Sequence, residues 1–175
     1  GVEKKVRVFP HGVDLGKHKA QFTNKKTDVI FVGRISEEKG YQQLLAVVPL
    51  LPERKFLFVG DGPFNHELEK AANAYPNLKF INKISREDLL TEMANSKVAC
   101  VPSICQESFS LVAAEAVSLG LQLVISNSQS LAHYSALPMN ALAAEVKNSE
   151  ALKNALEQAI DRPERSREEV ETLQK

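Results

Sequence analysis

Short apolar runs alternate with amphipathic stretches along the whole chain. Runs rich in Val, Ile, Leu and Phe near residues 6–9, 29–32, 56–59, 79–81, 98–101, 123–125 and 142–145 predict β-strands. The intervening segments predict helices over 41–51, 65–74, 86–95, 109–119 and 150–160. In the last of these, Leu152, Ala155, Leu156, Ala159 and Ile160 recur at helical spacing. Ser85 and Asp88 form an S-x-x-D variant of the capping box ahead of Leu89 and Leu90. Gly120 follows the last apolar position of its helix and predicts its stop. Pro163 closes off the helix before it, and the charged, weakly periodic tail over 164–175 is expected to fray.

Strands this continuously apolar, separated by helices, call for a parallel sheet covered on both faces. The predicted class is α/β with a doubly wound sheet. A chain of 175 residues is one domain's worth, read as 1–162 with a tail over 163–175. Doubly wound sheets bind ligands at the carboxyl ends of their strands. Gly33-Arg34, Gly60-Asp61-Gly62 and the stretch 102–107 all fall at such ends. Gly60 and Gly62 do not complete a G-x-G-x-x-G spacing, so a turn is expected there rather than a dinucleotide cradle.

Charge narrows the function. The 22 basic and 22 acidic residues cancel, which gives no support to nucleic-acid binding. Any phosphate must be held by local charges. Cys100 and Cys105 are too few for a disulfide framework and read as reduced thiols of a cytosolic protein. Two cysteines do not make a zinc site, and His18, His66 and His133 lack metal-binding spacing. No apolar run is long enough to span a bilayer and no signal-peptide pattern opens the chain, so a cytoplasmic protein is expected. Gly1 stands where a Met would open a complete protein, so an excised piece of a longer chain is expected.

The most informative chemistry is an acid pair. Glu107 lies on the loop after a buried-looking strand, and Glu115 lies about two turns into the following helix. That separation, roughly 9–10 Å along the axis, is near the reach of a nucleoside diphosphate sugar from hexose to ribose. The helix N-terminus between the acids is a natural seat for a pyrophosphate. Glu115 sits among Val112, Ala113, Ala114, Ala116 and Val117, where a carboxylate is expensive to bury unless hydrogen-bonded. Arg34 and Lys39 put two cations on one strand-end loop, where they could offset the charge of a leaving diphosphate. The chain has no D-x-D to hold a metal for that purpose. On spacing alone, Lys39 beside Glu37 and Glu38 also reads as an ordinary surface lysine. Gly12 follows the first strand in a turn suited to positive φ or close backbone approach.

The pair resembles the E-x7-E signature of retaining GT-B glycosyltransferases, especially glycosyltransferase family 4. Three further motifs follow in the family's order. Phe9-Pro10-His11-Gly12-Val13-Asp14 resembles its P-(N/H)-G-V-D. Phe31-Val32-Gly33-Arg34 with Glu38-Lys39-Gly40 resembles V-G-R…E-K-G. Val59-Gly60-Asp61-Gly62-Pro63 resembles G-x-G-P. The resemblance covers nearly the whole chain. It implies the C-terminal, Rossmann-like, donor-binding half of a GT-B enzyme that transfers a sugar from a nucleotide donor with retention, without a metal.

The resemblance also implies roles. Arg34 and Lys39 would contact the diphosphate, and Glu115 would hold the ribose. Glu107 would lie by the transferred sugar. Ser108, Phe109 and Ser110 would present backbone N–H groups to sugar and phosphates, with Leu111 beside them in the donor site. Gly12 would face the donor across an interdomain cleft, and Ile84, with Asn82 and Lys83, would meet the base. The expected donor is a UDP-sugar with no other cofactor. The acceptor, a sugar or lipid-linked group, would sit on a missing N-terminal domain, so this piece alone would not turn over. A lipid-linked acceptor would bring the full-length enzyme to the membrane surface. Tail residues 163–175 would begin the helix that crosses back to that domain.

Three departures bear on function. Ser110 replaces the family's glycine, Leu121-Gln122-Leu123 replaces x-P-V, and 128–133 lacks the usual Gly-Gly. These support a rival reading, a non-catalytic GT-B relic serving as a binding or scaffolding subunit. Keeping Arg34, Lys39, Glu107 and Glu115 together argues against it. Another GT-B enzyme, such as a sugar-nucleotide epimerase or a phosphorylase, ranks lower because the ordered family 4 motifs fit better.

Overall fold

The computed structural model describes residues 25–105, 110–128, 131, 134, 135 and 141–173. The expected first strand, Gly12, Glu107, Ser108 and Phe109 lie outside these residues. The strands are β1 (Thr27–Val32), β2 (Phe56–Val59), β3 (Leu78–Ile81), β4 (Ser96–Val101), β5 (Gln122–Ser126) and β6 (Leu142–Ala144). The helices are α1 (Tyr41–Leu45), α2 (Asn65–Ala74), α3 (Arg86–Ala94), α4 (Leu111–Ser118), α5 (Ser149–Ile160) and α6 (Arg167–Leu173).

The strands form one parallel sheet in the order β3-β2-β1-β4-β5-β6. Val29 of β1 stands in register with Phe56 on one side and Val98 on the other. The period of two then divides the core. Val29, Phe31, Phe58 and Cys100 face α1, α2 and α5, while Ile30, Leu57, Ala99 and Val101 face α3 and α4. Both faces are covered, as the apolar runs predict, and the fold is the Rossmann-like α/β class. From β1 the chain winds outward to β3. It then crosses back through α3 and winds the other way from β4. The switch point therefore lies between β1 and β4, where consecutive loops leave in opposite directions.

Local chemistry sets the helix ends. Ser85 Oγ accepts the Asp88 N–H at 3.0 Å, as the capping motif predicts. Gly120, at φ 82°, ends α4. Its N–H donates to Val117 O at 3.0 Å, and Leu121 N–H to Ala116 O at 2.9 Å, which is a Schellman motif.

Two expectations are corrected. The predicted 41–51 helix stops as an α-helix at Leu45 and gives way to a 3-10 turn at Val48–Leu50. Pro49 has no N–H to donate, and its ring would collide with the carbonyl four residues back. The tail does not fray through 173. Ser166 N–H donates to Glu169 Oε2 at 2.6 Å while Glu169 N–H donates to Ser166 Oγ at 3.2 Å, a complete capping box that opens α6. Val170 of α6 is buried against the domain, and Arg165 just before it donates Nε–H to Leu121 O at 3.1 Å.

Candidate functional site: the switch-point cleft

β1 and β4 are hydrogen-bonded neighbours whose following loops diverge, and a cleft of about 240 Å³ opens between them. Gly33, Lys39, Pro102, Ser103, Ser110 and Leu111 are among its lining residues. The loops are fastened to each other. Ile104 N–H donates to Glu38 O at 3.0 Å. Gly40, at φ 73°, packs onto the Pro102 carbonyl. These contacts deliver Lys39 to one wall. Arg34 is on the same loop but exposed, and it is not among the residues lining the cleft.

The opposite wall is the amino end of α4. Ser110 caps it, with Oγ accepting the Ala113 N–H at 3.3 Å and the backbone O accepting the Ala114 N–H at 3.1 Å. Leu111 and Val112 precede the first intrahelical bond, and both line the cleft. An anion there meets the positive end of the helix dipole, with Lys39 opposite. Ser110 is itself held from outside. The Tyr134 hydroxyl donates to its carbonyl at 2.9 Å, and both residues are buried. Ser110 is thus a working helix cap, pinned by Tyr134.

Glu115 lies one turn below Leu111 on α4. It is 5 % exposed although its side chain is a carboxyl group. Arg86, the first residue of α3, meets it with Nη2 at 2.5 Å from Oε1. The sequence reading missed Arg86. A cation in the first turn of a helix is opposed by the dipole, and that anomaly was the available sign of an acidic partner elsewhere. Ile84, just ahead, is half-buried against the α3–α4 face of the core.

The Gly60–Gly62 loop makes a turn. Gly62 N–H donates to Asn65 Oδ1 at 2.9 Å, and a β-carbon on Gly62 would lie 2.2 Å from Ile35 O. The glycine lets the loops after β1 and β2 touch. Asp61 is held below the usual carboxylate range by Asn65 first and then by Lys83, whose Nζ stands 3.1 Å away. Among the described residues no group of three or more His, Cys, Asp or Glu could hold a metal ion, and no helix is long and apolar enough to cross a membrane.

Comparison with known proteins places the chain. Residues 15–174 match the family described as glycosyl transferases group 1. The chain is 33% identical over 131 residues to sulfoquinovosyl transferase SQD2 of Arabidopsis thaliana, covering 68% of this chain and 25% of that protein. Among solved structures it resembles sucrose-phosphate synthase from Thermosynechococcus elongatus, with a TM-score of 0.74 at 24% identity over 97% of this chain and 46% of that one. It also resembles Anabaena HepE in complex with UDP-glucose, with a TM-score of 0.66 at 20% identity over 85% of this chain and 42% of that one. The chain therefore spans well under two thirds of these relatives.

Proposed function

Since the chain belongs to the glycosyl transferases group 1 family, we propose that it is the nucleotide-sugar-binding domain of a retaining, metal-independent GT-B enzyme of the family 4 type. The observation that carries the reading is the switch-point cleft, with Lys39 on one wall and the amino end of α4 on the other. A diphosphate fits that arrangement by charge: a cation and oriented backbone N–H groups face the same space.

In this reading Lys39 and Arg34 stabilise the diphosphate as the sugar–oxygen bond breaks. Leu111 and Val112 offer their N–H groups to it. Glu115 accepts hydrogen bonds from the ribose, and the loop at Ile84 meets the base. Glu107, Ser108, Phe109 and Gly12 keep the sugar-side roles implied by the sequence. A fold neighbour bound to UDP-glucose supports uridine as the first base to test. The acceptor and the rest of the catalytic machinery belong to other parts of the full protein, which works in the cytoplasm and at the membrane surface when its acceptor is a lipid.

Calorimetric titration with UDP, GDP and ADP tests the reading, with Glu115→Ala as control. Binding of one nucleotide, lost in the control, is the expected result. Failure of all three to bind at millimolar concentration would favour the scaffold subunit instead.

A further inference from the structure

Glu115 and Arg86 are 29 residues apart and come from different helices. The Glu115 side chain is 7% exposed, while that of Arg86 is 52% exposed. The desolvation of this ion pair therefore falls on the carboxylate, and the guanidinium keeps much of its water. A buried carboxylate without its cation is strongly unfavourable, and it would turn toward whatever donor it could find. Arg86 engages Oε1. A carboxylate has about four lone-pair sites on its two oxygens, so this contact leaves acceptor capacity for a second partner.

We infer that Arg86 is a positioning residue for nucleotide recognition. By gripping one oxygen of Glu115, it keeps the carboxylate aimed so that its remaining capacity accepts the vicinal hydroxyls of a ribose. Arg86 itself does not touch the sugar. The inference rests on the donor-site reading above and adds the residue that makes Glu115 selective for a cis-diol. The local sequence fits this role. Ser85 caps α3, and Glu87 and Asp88 place acids in its first turn, which offsets the penalty of an arginine at a positive helix end.

The test compares UDP with 2′,3′-dideoxy-UDP, which keeps the base and diphosphate but lacks both ribose hydroxyls. The 175-residue chain is titrated with each as wild type, Arg86→Gln, Arg86→Met, Arg86→Lys, Glu115→Gln and the Arg86→Gln/Glu115→Gln double variant. Thermal melts of every variant accompany the titrations. The wild type is expected to prefer UDP. Arg86→Gln should erase that preference by about tenfold, as expected for the loss of a charge-assisted hydrogen bond, and leave dideoxy-UDP binding near the wild-type level. Arg86→Lys should retain part of the preference, because an ammonium can replace the Nη2 contact to Oε1. The double variant should add nothing to Glu115→Gln.

Arg86→Met keeps an unbranched apolar stem and removes the charge together with its donors, so it decides the matter if the glutamine variant does not fold. A preference for UDP that survives in Arg86→Gln or Arg86→Met overturns the inference while leaving the donor site standing. Equal loss of both ligands with a lowered melting temperature also overturns it, and reduces the pair to a structural one. A wild type that binds neither ligand overturns the donor-site reading and this inference together.

Discussion

Gly40 stands so close to Pro102 that a β-carbon on it would lie 1.9 Å from the Pro102 carbonyl oxygen. Gly40 closes the loop that leaves β1 and Pro102 opens the loop that leaves β4, so this contact ties the two loops together beside the cleft. Two requirements meet at one position: the left-handed φ of 73° and the absence of a side chain. Gly40→Ala should therefore destabilise the fold by more than about 2 kcal/mol, from left-handed strain and collision with backbone. It should also weaken nucleotide binding, because Lys39 is next in the chain. Denaturant melts and calorimetry check both, and a variant with unchanged stability would refute the account.

The cap of α4 gives a graded series. Ser110→Ala removes the acceptor for the Ala113 N–H and should lower stability by about 1 kcal/mol, whereas Ser110→Gly should lose only a few tenths. Tyr134→Phe leaves the buried carbonyl of Ser110 without its phenolic donor and should lose about 1–2 kcal/mol. Urea unfolding of the three variants tests the order, and a glycine variant less stable than the alanine one would refute the capping role.

Lys39 should carry the salt dependence of ligand binding. If it faces a diphosphate, UDP affinity falls as ionic strength rises, and Lys39→Ala binds about tenfold more weakly with a flatter dependence. Titrations across a salt series decide this. A variant whose salt response matches the wild type would remove Lys39 from the site.

Lys25 gives a pH prediction far from the cleft. Its ammonium donates to Ala94 O at 2.6 Å. Burial pulls its pKa down to about 8 from the ordinary 10.5, with Glu164 opposing the shift. Between those values the unfolded chain still holds a proton that the folded chain has released, so stability rises with pH from about pH 8 towards pH 10. Below that window the charged lysine is held at a penalty in the fold. Melting temperatures across the window should climb in the wild type and climb less in Lys25→Met. Parallel curves would show that burial of Lys25 has no such effect.

Much of this structure was readable along the chain because the physics involved is local. Apolar runs such as Phe56–Val59 announce buried strands, and the period of two assigns Phe58 and Leu57 to opposite faces. Ser85 and Gly120 mark helix ends because caps act within a few residues of themselves. Local signals were also overlooked. Pro49 cuts a helix short, and Ser166 with Glu169 opens one where fraying was expected. Around the cleft, the sequence and its family resemblance pointed to Lys39, Ser110 and Leu111 and singled out Glu115 as an acid amid small apolar residues, but did not show what surrounds them.

By itself, then, the sequence determined most of the elements, their inner faces and many of their ends. Only the tertiary structure decided that β1 lies beside β4, that Gly40 meets Pro102, that Tyr134 holds the Ser110 carbonyl and that Arg86 meets Glu115. The physical reason is range. Periodicity, capping and turn chemistry depend on neighbours a few residues away and leave a trace in the order of residue types. Contacts between distant segments depend on strand order and crossover path, which the whole core selects together, and a single residue's neighbours in sequence carry little record of them.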